Sequence, residues 1–189
     1  MPTSPVDTPT QPDPTQPDST QPDSTQPDSN LRDAALRILR SYPLGFLATT
    51  DDAGAPRVRL VQHLAVEDDA TIWISTSPRS RKALDLIARP EVSYSVEDRA
   101  TVAYATLYAR AELLCDGPEL VKLWDETLRP FFPAGPTGDD FALVRLVPHR
   151  VELLDFSAGV HPDPYGLVPA ISVLSPVPRA EGQAGKSNV

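Results

Sequence analysis

Five side chains within eight residues have the chemistry to hold an anion. In the stretch 72–90, IWISTSPRSRKALDLIARP, a short apolar strand runs into Ser75 and Thr76, a brief loop follows, and Ser80, Arg81 and Lys82 open a helix. Hydroxyls, two cations and the unpaired N–H groups of a helix's first turn are the groups a phosphate requires. Arg57 and Arg59 stand upstream on what reads as a neighbouring strand. An isolated Ser-Arg-Lys is more simply an N-cap followed by solvated cations. The strand-end hydroxyl pair and the two-arginine strand shift the balance to a phosphate site.

The remaining candidates are weaker. In 57–64, Val58, Leu60 and Leu64 alternate onto one face, and Arg57, Arg59, Val61 and His63 onto the other. The two arginines therefore read either as the solvated outside of a barrel strand or as a face covered by a cofactor or a second subunit. Gln62 is polar on the apolar side, so it either finds a hydrogen-bond partner or is turned outward by a bulge. His63, His149 and His161 show no metal-ligand spacing, and Cys115 has no neighbouring ligand, so no metal site is expected. GxSxG, GxGxxG and GxxxxGK[ST] are all lacking, which argues against a nucleophile elbow, a dinucleotide loop and a nucleoside triphosphatase. Trp73, Trp124, Phe131 and Phe132 read as core or interface aromatics.

The elements that must position these groups are mainly short strands. A helix is expected from near Asn30, with Leu31, Ala34, Ala35, Ile38 and Leu39 at helical spacing, ending at Tyr42-Pro43. Strands follow over 45–50, from Pro56 past the DDAGAP turn, over 71–75, 92–96 and 100–114, and finally 141–147 and 150–154. Helices are expected over 81–88, stopped by Pro90, and over 118–128. Short strands separated by turns, with few helices, point to a mainly β fold, a small barrel with flanking helices rather than a parallel sheet. From Ser157 onward a loose extension is expected, in which 165–173 could dock on the barrel.

Residues 10–29 repeat a five-residue unit, TQPDP once and TQPDS three times. The unit buries almost nothing, so residues 1–29 read as a disordered tail. This segment holds much of the excess of 22 prolines among 189 residues. Its five aspartates contribute −5 of the formal −9, leaving −4 for the remainder. A mildly acidic body argues against general nucleic-acid or anionic-membrane binding. One cysteine, no apolar run of membrane-spanning length and no visible signal sequence give a cytoplasmic expectation.

With these residues in view, the sequence resembles the pyridoxamine 5′-phosphate oxidase-like, FMN-binding split β-barrel superfamily, and its general stress protein branch in particular. The resemblance runs over about residues 31–156, through GFLATTDDAGAPRVRL, the more specific IWISTSPRSRKALDLIARPEVSYSV, and LWDETLRPFFPAGPTGDDFALVRLVPHRVELLD. It implies a six-stranded split barrel that forms a homodimer with FMN at the subunit interface. It also implies a flavin-phosphate contact from Arg57, help from Gln62 five positions later, and further contacts from Ser75, Thr76, Ser80, Arg81 and Lys82. A flavin-dependent oxidoreductase acting on a small-molecule redox substrate is the function implied. A non-enzymatic flavin-binding stress protein, or the same barrel holding a deazaflavin or haem, are the alternatives. Position 62 lacks the lysine of the oxidase proper. The segment PHRVELLDFSAGVHPDPYG offers only Arg150 in place of the oxidase's vitamin-gripping motif, which disfavours pyridoxamine phosphate oxidation.

Overall fold

The computed structural model describes residues 28–161 and 168–174. The repeat tail and most of the C-terminal extension lie outside the described residues. Helix α1 (Asp28–Ser41) leads into strands β1 (Leu44–Thr50), β2 (Pro56–Val66) and β3 (Ile72–Thr76). Helix α2 (Arg81–Ala88) comes next, then β4 (Glu91–Asp98), β5 (Ala103–Leu114), α3 (Pro118–Lys122), β6 (Ala142–Leu154) and β7 (Ala170–Val173).

The strands are ordered β3-β2-β1-β4-β5-β6-β7, and an added β3–β6 pairing closes the first six into an antiparallel barrel. Closure depends on the length of β6. Its first half pairs with β3, from Ala142 opposite Thr76 to Leu146 opposite Ile72, while its second half receives β7. Two strands were expected here, 141–147 and 150–154, but β6 is continuous. Its register against β5 shifts at Tyr108/Ala109, so His149 has no opposite residue and the strand bends without breaking. The seventh strand falls within the part of the extension expected to dock.

Leu47, Ile72, Ile74, Tyr94, Leu107, Val144, Leu146 and Leu153 fill the barrel, and α1 adds Leu31, Ala35, Ile38 and Leu39. A second cluster of Trp73, Leu120, Phe132, Phe141 and Leu143 packs outside β3 and β6. Phe131 is not part of any core, being 76% exposed. The helix expected over 118–128 is instead two pieces: α3 ends at Lys122, and a single 3₁₀ turn covers Glu126–Leu128. Asp125, in extended conformation, breaks the run because its carboxylate caps the Thr127 N–H at 2.8 Å.

One buried polar pair ties the barrel interior together. His63 Nδ1 lies 2.9 Å from the Tyr94 hydroxyl, and both rings are buried. Burial pushes the His63 pKa below its ordinary 6.5, although a bond to the Leu39 backbone works the other way. Neutral His63 is thus favoured by folding, and below pH 6.5 the unfolded chain binds the extra proton. Stability should therefore fall as pH drops from 7 to 5. In His63→Gln that part of the decline should flatten, as read from melting temperatures across this range; an unchanged pH slope would mean that other groups govern it.

Candidate functional site: a cation cluster beneath helix α2

The DDAGAP turn builds one wall. Gly54 takes φ +81°, and its N–H bonds to the Asp51 carbonyl at 2.9 Å. The Asp51 carboxylate accepts the N–H groups of Ala53 (3.0 Å) and Ala55 (2.9 Å). These turn bonds, that of Ala55 first, hold Asp51 below the usual carboxylate range and aim its free oxygen at Arg57, whose Nη2 is 3.2 Å away.

Helix α2 supplies the other wall. Lys82, Asp85 and Leu86 share one face at i, i+3 and i+4, the face turned to the barrel. Leu86 enters the core, and Asp85 is carried in beside it, 7% exposed. Arg57 Nη1 donates to Asp85 Oδ1 at 3.0 Å, and the Thr49 hydroxyl donates to Oδ2 at 2.9 Å. Arg59 Nη2 donates to Thr49 Oγ1 at 2.8 Å and lies 3.5 Å from Asp85 Oδ2. A carboxylate with three neighbours from two strands, Thr49 of β1 and Arg57 and Arg59 of β2, satisfies the rule that a buried charge must be paired.

The cations outnumber the carboxylates. Arg59 Nη1 is buried with no acceptor. Burial lowers the Arg59 pKa; Asp85 opposes this, and the charges of Arg57 and Arg81 add to the lowering. Lys82 is half-buried and is lowered in turn, first by burial and then by Arg59. It forms no ion pair among the described residues. Arg57 and Arg81 thus act on the Arg59 guanidinium, and Arg59 in turn acts on Lys82. A shallow depression adjoins the cluster through Thr49 and is lined also by Thr50, Pro56, Ser93, Tyr108 and His149.

The residues singled out in the sequence divide into three groups. Arg57, Arg81 and Lys82 lie within electrostatic reach of Arg59. Ser80 and Thr76 pair with each other, Oγ1 to Oγ at 2.9 Å, and Ser80 caps α2 by accepting the Ala83 N–H at 3.2 Å. Ser75 and Gln62 face elsewhere. Ser75 is on the side of β3 opposite the buried Thr76, and Gln62, an odd five residues from Arg57, projects from the outer side of β2. The interior and exterior of β2 are also the reverse of a simple hydropathy reading. Val58 and Leu60 are 63% and 56% exposed, while the arginine face is the one covered by α2. Alternation separates two faces without stating which is inside, and here buried Asp85 makes the charged face the covered one. Thr49, Asp51 and Asp85 were not picked out from sequence. The i, i+3, i+4 grouping of Lys82, Asp85 and Leu86 was the available signal for Asp85.

A family model described as pyridoxamine 5′-phosphate oxidase matches residues 31–155. No match was found among curated protein sequences. Among solved structures, the chain is similar to a Clostridium acetobutylicum protein related to general stress protein 26, at 15% identity and TM-score 0.65, over 78% of this chain and 96% of that one. A pyridoxamine 5′-phosphate oxidase-related, FMN-binding protein of Nostoc punctiforme aligns at 18% identity and TM-score 0.57, over 81% and 99%. A heme-binding protein of Mycobacterium smegmatis aligns at the same identity and TM-score, 18% and 0.57, over 79% of this chain but only 60% of that one. At these identities the structural likenesses establish the shared barrel.

Proposed function

Because the chain belongs to the pyridoxamine 5′-phosphate oxidase family, we propose that it binds a flavin mononucleotide by its phosphate at the cluster beneath α2 and acts as a flavin-dependent oxidoreductase. The observation that carries this reading is Arg59 Nη1, buried with no acceptor among the described residues, in a cluster whose Lys82 forms no ion pair. Such groups gain from an anion placed between them. Charge supports a monoester in particular. Arg57, Arg59, Arg81 and Lys82 face Asp51 and Asp85, an excess of two positive charges. A terminal phosphomonoester approaches two negative charges near neutral pH, whereas a phosphodiester carries one.

When bound, the flavin ring supplies the hydride and electron chemistry. The chain's part is to hold and orient it. The guanidinium and ammonium groups neutralise the phosphate, and the Thr76–Ser80 hydroxyl pair fixes the entry to α2. Oxidation of pyridoxamine phosphate lies outside this reading, because Arg150 stacks on Tyr108 at 3.8 Å and pairs with Glu152 at 3.2 Å.

A homodimer is part of the same proposal. Leu44, Phe46, Val58 and Leu60 form an exposed apolar stripe across the paired strands β1 and β2, with Phe46 opposite Leu60 and Ala48 opposite Val58. Contiguous apolar surface of this kind marks an interaction face. A second copy on that stripe would also reach Gln62, which lies in register with Leu44. The deciding experiment is the visible spectrum and solution mass of purified, dialysed protein with and without added FMN. Flavin absorbance in a dimer is expected, with NAD(P)H-dependent bleaching if the protein is an enzyme. A colourless monomer that takes up no FMN would end the reading, and haem or deazaflavin bands would replace the cofactor. Binding without turnover would favour a storage or sensing role.

A further inference from the structure

We infer that strand β7 is a strap that fixes which residue of β6 occupies the bulge, and so places the His149 side chain in the depression lined by Thr50, Ser93 and Tyr108. This role goes beyond the phosphate-site reading and does not depend on it. Strand β5 alone leaves the choice open. Its pairing steps from Tyr108 opposite Arg150 to Ala109 opposite Pro148, which makes His149 the extra residue. Moving the extra residue one place along β6 exchanges one β5 pair for another and turns different side chains outward. Pro148 brings no N–H to the ladder, so it marks the neighbourhood of the bulge without selecting its residue.

The other edge of β6 makes the selection. Strand β3 holds that edge up to Leu146, opposite Ile72. Strand β7 then takes it in unbroken register, from Arg150 opposite Val173 to Leu153 opposite Ala170. At the handover, the Leu174 N–H donates to the His149 carbonyl at 2.9 Å, and Leu174 packs against the main core. Moving the bulge toward Leu154 would turn away carbonyls now directed at β7, and moving it back past Leu146 would break the β3 pairing. The extra residue is thereby held between the two edge partners. Held there, His149 reaches across β5, its Nε2 lying 3.4 Å from Glu91 Oε2 on β4, and its side chain is only 22% exposed.

The test is modification of the histidines by diethyl pyrocarbonate in the full chain, resolved by site with mass spectrometry. Bonded and non-bonded pairs alternate along an antiparallel ladder, so Leu174 directs its N–H at β6 and Val173 directs its own away. Leu174→Pro should raise the modification rate of His149 severalfold, because the donor that holds the bulge is gone. Val173→Pro should leave that rate near the wild-type value. His63, buried in the barrel, reports global unfolding and should stay unmodified in both variants. An unchanged rate in Leu174→Pro, or an equal rise in both variants, would overturn the assignment. Should His63 show that Leu174→Pro unfolds, hydrogen exchange of the unaltered chain decides. A Leu174 amide protected well beyond that of Val173 is expected, and equally rapid exchange of the two would overturn the strap.

Discussion

Gly45→Ala is expected to destabilise the fold by about 3 kcal/mol, the upper part of the range for an added methyl group in a packed core. A Cβ at position 45 would lie 2.5 Å from both Cζ and Oη of Tyr94. No easy relief exists. Tyr94 is fully buried and its hydroxyl is held by His63 at 2.9 Å. The Gly45 backbone is fixed in β1 opposite Val61, between β2 and β4. Either the tyrosine moves and takes away the partner of His63 Nδ1, or two strand pairings shift. Chemical denaturation would measure the loss. The same change in a Tyr94→Leu background should cost under about 1 kcal/mol, because the atoms in conflict are gone and coupled neighbours depart from additivity. Equal losses in both backgrounds would place the strain elsewhere.

Asp85→Ala is expected to remove about 2–4 kcal/mol. Breaking a fully buried ion pair from one side costs roughly 3–5 kcal/mol. The figure is reduced here because the Arg57 and Arg59 side chains keep 40% and 24% of their exposure and water screens part of the uncovered charge. Arg57 would retain Asp51, and Arg59 would retain Thr49, whose hydroxyl would itself lose its acceptor. Asp85→Asn should cost less, since an amide oxygen can still accept one of these bonds. Saturating FMN should return part of the lost stability by mass action, because the ligand supplies negative charge where the carboxylate was removed. Thermal melts of the three proteins with and without FMN would show this. An alanine variant as stable as wild type would mean that the arginines do not depend on Asp85.

The element boundaries were largely legible. Helix α2 begins at Arg81 because Ser80 caps it, and it stops before Pro90; both signals are local and carried by single side chains. The DDAGAP turn is equally local, made by Asp51 and by a glycine at positive φ. The long second helix was misread because helical spacing over 118–128 cannot reveal that Asp125 prefers its own cap to the middle of a helix. The break after β6's expected first segment was misread for a similar reason: a bulge at His149 bends a strand without ending it.

The cation cluster divides along the same line. Its presence was readable from Arg57, Arg59, Arg81 and Lys82 as residue types near a strand end and a helix start, because hydroxyl caps and fixed charges act over a few residues. Its counter-ions and internal roles were not readable, because Thr49, Asp85 and Arg59 meet only when α2 is laid against β1 and β5 and the arginine side chains of β2 reach it. By itself the sequence determined the family, the alternation of β2 into a charged and an apolar face, and the grouping of cations near a strand and the start of α2. Tertiary structure alone decided that the charged face is the covered one, that Gln62 and Ser75 turn away from it, and that Arg59 has a nitrogen left to offer. The physical reason is that alternation and capping are properties of neighbouring residues, whereas burial and charge compensation are set by what closure of the barrel brings opposite them.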